Sequence, residues 1–113
     1  MAPADAARST ASDDTPVLEL VQFRLNAGTE DDDFIEAARG TEAMLRAGGA
    51  LIRRFLTKDS EGTWSDVIEW TSMEAALSAA EAVMQEPDFQ PLMQMIDPET
   101  VNLSHAPILW RME

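Results

Sequence analysis

The sequence predicts one α+β domain with the element order β-α-β-β-α-β. Four short segments rich in β-branched and other apolar residues predict strands. Two longer segments repeat apolar residues at the spacing of a helix that is buried on one face. A chain of 113 residues has room for a single domain, which we place over residues 16–113. Residues 1–15 contain no long apolar run, so we expect a disordered tail there.

The first predicted strand runs over residues 17–25. Both of its alternating faces carry apolar side chains, which is typical of a central strand that is covered on both sides. Glu19 interrupts one of these apolar faces. Because burying an ionised carboxylate is costly unless it has partners, Glu19 is a candidate functional residue.

The first helix is predicted to begin after Thr29, its expected N-cap. Four acidic residues follow at positions 30–33, and the positive end of the helix dipole explains them without a metal ion. Apolar residues recur at helical spacing over residues 34–45, so we expect one continuous helix. The pair Gly48-Gly49 ends it.

Two strands are predicted next, over residues 50–57 and 63–70, and the polar segment between them is typical of a hairpin loop. If a tight two-residue turn is centred in that loop, Arg53 points the same way as Asp66 and Trp70, because cross-strand partners share a face. A loop of odd length would break this inference.

The second half of the chain repeats the pattern of the first. Ser72 is the predicted N-cap of the second helix, which ends before Pro87. Its expected buried stripe consists of six apolar residues: Met73, Ala76, Leu77, Ala80, Val83 and Met84. A short helical segment over residues 89–96 precedes a final strand over residues 101–110. Pro107 in that strand indicates an edge strand or a bulge, because proline cannot donate to a sheet ladder.

Two β-α-β halves joined by a hairpin predict the ferredoxin-like arrangement. Right-handed crossovers then place both helices on one face of a four-stranded antiparallel sheet. The other face would be bare, although the strands carry apolar residues on both faces. A second copy packed sheet against sheet is the economical cover, so the pattern predicts a homodimer.

Composition excludes several classes of partner and chemistry. Twenty-one acidic against eight basic residues give a net charge of -13, which disfavours binding to nucleic acid or to an anionic membrane surface. The absence of cysteine removes disulfides, thiolate nucleophiles and thiolate metal sites. No segment approaches membrane-spanning length, and we expect a cytoplasmic protein.

His105, on the last strand, is the only histidine of a chain that has no cysteine and no tyrosine. Histidine is the usual proton-transfer group near neutral pH. The first and last strands are neighbours in this arrangement, so Glu19 and His105 can lie side by side. Such a pair serves proton transfer in some proteins and structure alone in others. Arg53 either neutralises Asp66 or Glu19, or binds an anionic group of a ligand.

Several segments carry a family resemblance: residues 19–25 leading into Gly28, residues 62–70, residues 72–76 and Ile96-Asp97-Pro98. They resemble the dimeric α+β barrel superfamily, which includes the antibiotic biosynthesis monooxygenases and stress-responsive barrel proteins. The resemblance implies a dimeric α+β barrel with a pocket between sheet and helices. In the family's monooxygenases the third strand carries an asparagine and a tryptophan in this pocket. Trp70 matches the tryptophan, whereas Asp66 replaces the asparagine.

Three hypotheses for function remain open. The first is a monooxygenase-like or cyclase/isomerase-like enzyme without cofactor or metal, acting on a hydrophobic or aromatic compound. His105 and Glu19 would be catalytic in it, and Trp70, Asp66 and Arg53 would bind the substrate. The second is a non-catalytic, ligand-binding or stress-responsive dimer that uses the same pocket. The third is a structural dimer with a filled interior.

Overall fold

The computed structural model of the chain describes residues 15–112, so the predicted tail lies outside the described residues except for Thr15. Four strands form the sheet: β1 (Val17–Phe23), β2 (Leu51–Lys58), β3 (Trp64–Trp70) and β4 (Asn102–Pro107). The helices are α1 (Asp31–Arg39), α2 (Glu42–Ala47), α3 (Met73–Val83) and α4 (Gln90–Met95), with short 3₁₀ turns over Pro87–Phe89 and Pro98–Thr100.

The sheet is antiparallel with strand order β2-β3-β1-β4, and the predicted ferredoxin-like α+β fold is thereby confirmed. β1 is an interior strand, as its two apolar faces predict. β4 is an edge strand, which explains how Pro107 is accommodated at its end.

The helices cover one face of this sheet. Val17 and Trp70 pack against Leu45 of α2 and Ala76 of α3. At the other end of the sheet Phe34 of α1 makes edge-to-face contacts with Phe23 and Trp64, at centroid distances of 5.4 and 4.9 Å. Both clusters use the same alternating set of strand residues, so the core lies in a single layer between sheet and helices.

The predicted first helix is interrupted, and its continuity is a wrong prediction. α1 ends at Arg39, and α2 begins after Thr41, which is fully buried. The Thr41 hydroxyl donates a 2.6 Å hydrogen bond to the Ala38 carbonyl and accepts one from Arg54 on β2. This tertiary contact fixes the break. The N-cap is Glu30 instead of Thr29, without a side-chain capping bond.

The predicted hairpin register is wrong by one residue, because the loop between β2 and β3 has odd length. Asp59 Oδ1 accepts hydrogen bonds from the backbone N–H groups of Glu61 and Thr63, both at 2.9 Å. These bonds hold the pKa of Asp59 below its usual value of 3.8. Gly62 takes a positive φ of 89°, which closes the five-residue loop.

The register shift moves Arg53 to the other face of the sheet. Arg53 pairs with Glu69 in the ladder and forms a 3.0 Å ion pair with its carboxylate. Arg54 instead points into the helix-covered layer, next to Asp66. The placement of Arg53 beside Asp66 and Trp70 is therefore a wrong prediction, and Arg54 occupies that position.

The second of the two predicted helices corresponds to α3. Its N-terminus is capped as predicted, because Ser72 Oγ accepts a 3.1 Å hydrogen bond from the Ala75 N–H. Its predicted buried stripe is only partly confirmed. Ala76 is fully buried, whereas Leu77 and Met84 are 51% and 65% exposed. The helix is therefore less deeply covered than its periodicity indicates.

The second face of the sheet carries no helix of the described chain. Leu18 and Phe55 on this face are exposed, whereas Glu69, which lies opposite Leu18 in the β1–β3 ladder, is buried. Arg111 from the C-terminal segment contacts Glu69 through both of its terminal nitrogens. Its hydrogen bond and charge, together with the charge of Arg53, hold the pKa of Glu69 below its usual value of 4.5 in spite of burial. Among residues 15–112 no helix is both long and apolar enough to cross a membrane.

Candidate functional site

A cavity of about 280 Å³ lies between the sheet and the segment that contains α3 and α4. Its polar lining consists of three side chains from the sheet: Glu19, Arg54 and Asp66. Its walls are almost entirely apolar and include Val21, Ile68, Trp70, Ala80, Val83, Met84, Leu92, Met93, Ile96, Val101 and Leu103. The volume lies just below the lower end of the usual range for small-molecule sites, about 300 Å³. A cavity at this place argues against the filled interior that the third hypothesis, a structural dimer, requires.

Glu19 stands in the middle of β1 and is 9% exposed. Its Oε1 atom accepts a 3.0 Å hydrogen bond from the indole Nε1 of Trp70 on β3. His105 lies directly opposite Glu19 on β4, and its Nε2 atom is 3.1 Å from the same Oε1. The predicted neighbouring placement of Glu19 and His105 is thus confirmed.

The second carboxylate oxygen of Glu19 has a different environment. Within residues 15–112 the structure gives Oε2 no hydrogen bond, and no unpartnered side-chain oxygen or nitrogen in that range is fully buried. Oε2 therefore keeps some exposure. Glu19 as a residue lines the cavity.

His105 is not among the residues that line the cavity. Its side chain is 13% exposed and extends from the edge strand β4 to Glu19 on β1. When Glu19 is ionised, the contact with Oε1 requires a proton on His105 Nε2, because a carboxylate can only accept. Glu19 thus contacts the imidazole and also lines the cavity, and a catalytic role for His105 stays a prediction.

Arg54 and Asp66 form a second polar unit in the cavity wall. The guanidinium donates to both Asp66 oxygens, with Nε–Oδ1 at 2.9 Å and Nη2–Oδ2 at 2.8 Å. Nη1 donates to Thr41 Oγ1 at 2.8 Å. Bidentate geometry of this kind is the strongest form of ion pair in proteins. Asp66 is therefore a paired carboxylate, with both oxygens occupied.

The structure brings three of the five predicted site residues to the cavity: Glu19, Asp66 and Trp70. His105 lies one contact away, and Arg53 lies on the opposite face of the sheet. Sequence reasoning missed Arg54 and its partner Thr41. The sequence does contain a signal for Arg54. Arg53 and Arg54 are adjacent on a strand, so one of the two must point towards the helices, and the length of the hairpin loop decides which one does. No sequence signal marks Thr41.

The cavity is acidic at its polar end. Glu19 and Asp66 contribute two carboxylates, and Arg54 is the one arginine or lysine among the lining residues. That arginine is already paired with Asp66, so a bound anion would find no unpaired cation. Among residues 15–112 no group of three histidine, aspartate or glutamate side chains is placed to hold a metal ion.

The sequence matches no protein-family profile and no curated protein. Solved structures share its fold. A Bordetella bronchiseptica protein named for the antibiotic biosynthesis monooxygenases gives a TM-score of 0.70 at 13% identity, covering 85% of this chain and 99% of its own. SnoaB, a cofactor-independent oxygenase from Streptomyces nogalater, gives 0.58 at 16% identity, with 88% and 96% covered. A dimeric ferredoxin-like protein from an uncultured marine organism gives 0.60 at 14% identity, with 93% and 97% covered.

These likenesses concern the fold, because identities of 13–16% carry no activity from one protein to another. The chain has the ferredoxin-like architecture of antibiotic biosynthesis monooxygenase-like proteins. The resemblance that the sequence indicated is confirmed at this level.

Proposed function

We propose that this protein binds a hydrophobic or aromatic small molecule in the cavity and acts on it as a cofactor-independent, monooxygenase-like enzyme. The observation that supports this most is the position of Glu19, a carboxylate that contacts Trp70 and His105 and lines a cavity with mostly apolar walls. The fold shared with SnoaB, a cofactor-independent oxygenase, supports this reading.

Proton removal is the step that these residues can supply. A base next to an aromatic ring can take the proton of a hydroxyl group, so that the O–H bond breaks and the electron pair stays on the substrate. The resulting anion can transfer one electron to dioxygen, which gives a substrate radical and superoxide. Their combination forms a C–O bond at a ring carbon, and loss of that carbon's proton with cleavage of the O–O bond then gives a quinone and water. The apolar walls exclude water and strengthen the interaction between the carboxylate and the substrate proton.

Oxygen uptake by the purified protein tests this proposal, with mono- and dihydroxynaphthalenes as substrates and EDTA present. We expect uptake above the uncatalysed blank, and we expect Glu19→Gln to lower it by about a hundredfold, the typical contribution of a general base. Glu81→Gln, on the exposed side of α3, is the matched control and should keep the wild-type rate. If the naphthols bind but no oxygen is consumed and no product forms, the catalytic proposal is contradicted.

A second candidate, a non-catalytic ligand-binding barrel, is favoured by one observation. Asp66 replaces the asparagine of the family's monooxygenases, and Arg54 occupies both of its oxygens. That pair cannot offer a substrate the free amide that the resemblance implies. Binding of the naphthols with no turnover over hours would select this candidate.

We further propose that the protein is a homodimer formed through the face of the sheet that no described helix covers. Exposed Leu18 and Phe55 on that face support this, as does the likeness to a dimeric ferredoxin-like protein. Light scattering after gel filtration should give twice the mass of one chain, and Phe55→Glu should halve it. A wild-type monomer at micromolar concentration would contradict the proposal.

A further inference from the structure

We infer that the ligand contacts Oε2 of Glu19 and does not contact His105. Because Oε2 accepts hydrogen bonds and carries negative charge, the cavity binds neutral apolar molecules that have a hydrogen-bond donor more tightly than anions of the same shape. This inference rests on the small-molecule binding proposed above. It concerns recognition and holds for either the enzymatic or the non-catalytic function.

The two donors that hold Glu19 converge on one oxygen. Trp70 Nε1 and His105 Nε2 lie 3.0 and 3.1 Å from Oε1, which occupies the two acceptor positions of that atom. Oε2 has no partner among residues 15–112 and belongs to a side chain that lines the cavity. An ionised carboxylate in an apolar setting needs further donors, which water supplies in the empty cavity and a ligand supplies when it is bound.

The orientation of Glu19 is fixed by a group that can only donate. The Trp70 indole N–H has no acceptor capacity, and the ring is 3% exposed, so the N–H must be satisfied within the protein. Glu19 Oε1 is the acceptor it uses. This contact keeps Oε1 turned away from the ligand and leaves Oε2 for it.

The other polar groups of the cavity do not offset this preference. Both Asp66 oxygens accept from Arg54, and three of the five Arg54 N–H groups already donate to Asp66 and Thr41. A ligand carboxylate would approach two protein carboxylates and meet one arginine that is already neutralised. The net charge of -13 adds a repulsion of the same sign.

Three naphthalene probes of similar shape test the inference by isothermal titration calorimetry at neutral pH: 2-naphthol, 2-methoxynaphthalene and 2-naphthoate. 2-Naphthol offers a donor, the methyl ether keeps the oxygen without the donor, and 2-naphthoate is an anion. We expect 2-naphthol to bind at least tenfold more tightly than the ether, the usual effect of a hydrogen bond to a charged acceptor. We expect no measurable binding of 2-naphthoate.

Glu19→Gln should abolish this order. The Trp70 N–H requires an acceptor, so the amide oxygen takes the place of Oε1 and the amide NH₂ turns towards the cavity. The variant therefore presents a donor instead of an acceptor, and we expect it to lose the preference for 2-naphthol over the ether. His105→Gln keeps a donor towards Oε1 and should retain the wild-type order. Glu69→Gln, a buried glutamate on the opposite face, is the matched control and should also retain it.

Equal affinity of the wild type for 2-naphthol and the ether would overturn the inference, even if Glu19→Gln does not fold. An unchanged order in folded Glu19→Gln would overturn it as well, and so would loss of the order in His105→Gln alone. Failure of all three probes to bind the wild type would overturn both the inference and the small-molecule function. Binding without the expected order would leave that function intact.

Discussion

At the scale of single residues, the polar end of the cavity depends on how one buried carboxylate, Glu19, is hydrogen-bonded. An ionised glutamate in an apolar layer is costly unless donors compensate the lost hydration. Glu19 has two such donors, from the strands on either side of it. The same arrangement that stabilises the carboxylate also sets which of its oxygens is available for chemistry.

Trp70→Phe tests the structural half of this arrangement. The change keeps an aromatic ring in the core but removes the N–H that donates to Glu19. We expect a loss of about 1–3 kcal/mol in the free energy of unfolding, the cost of leaving a buried polar group unsatisfied. Urea denaturation followed by circular dichroism measures it. Trp110→Phe, at a position that is 76% exposed, should change stability by less than about 0.5 kcal/mol.

Arg54 and Asp66 give a second prediction at this scale. Arg54→Met leaves Asp66 as a buried carboxylate without its cation, and we expect a loss of about 3 kcal/mol. Adding Asp66→Leu removes that charge and should recover most of the loss, because an apolar pair can replace a buried ion pair. Equal stabilities of the single and double variants in urea would show that the pair is not coupled as described.

At the scale of elements, β3 carries one acidic residue into each face of the sheet. Asp66 faces the helices and pairs with Arg54, whereas Glu69 faces the other way and pairs with Arg53 and Arg111. Each carboxylate thus attaches a different segment of the chain to the same strand. Arg54 links the strand to the break between α1 and α2, and Arg111 links it to the C-terminal segment.

The Glu69 contact predicts a dependence of stability on pH. Because the hydrogen bond from Arg111 lowers its pKa in the folded protein, Glu69 contributes its full stability above its usual value of 4.5 and loses it as the pH falls through the lowered value. At pH 7 we expect Glu69→Gln to be about 2 kcal/mol less stable than the wild type. The gap should shrink below pH 4.5, as measured by urea denaturation at each pH. A gap that stays constant down to pH 2.5 would contradict this assignment.

Element order and strand positions could be predicted because they depend on local pattern. Periodicity placed the strands and helices, and Pro107 marked an edge strand. The interruption at Thr41 could not be predicted, since its cause is a hydrogen bond from a residue on β2. The register of the hairpin depends on whether its loop has an even or an odd number of residues. The loop is one residue longer than a loop of even length would be, and this difference exchanges the faces on which Arg53 and Arg54 lie.

At the scale of the whole molecule, the two faces of the sheet differ in what covers them. The helix-covered face holds the cavity, and the other face, with exposed Leu18 and Phe55, is the one we propose for dimer formation. The neighbouring placement of Glu19 and His105 follows from two facts: the first and last strands are adjacent in this fold, and their register pairs these two residues. Which of them faces the ligand depends on side-chain geometry, which topology does not specify.

If the cavity binds an apolar ligand through Glu19, a crystal structure of the protein soaked with 2-naphthol will show that contact. We predict that the ring lies between Trp70 and the α3–α4 wall. Its hydroxyl oxygen should lie about 2.5–3.0 Å from Glu19 Oε2, the range of a hydrogen bond between oxygens. A ring in the cavity with its hydroxyl on His105 or Arg54, or a cavity closed by its own side chains, would contradict the account.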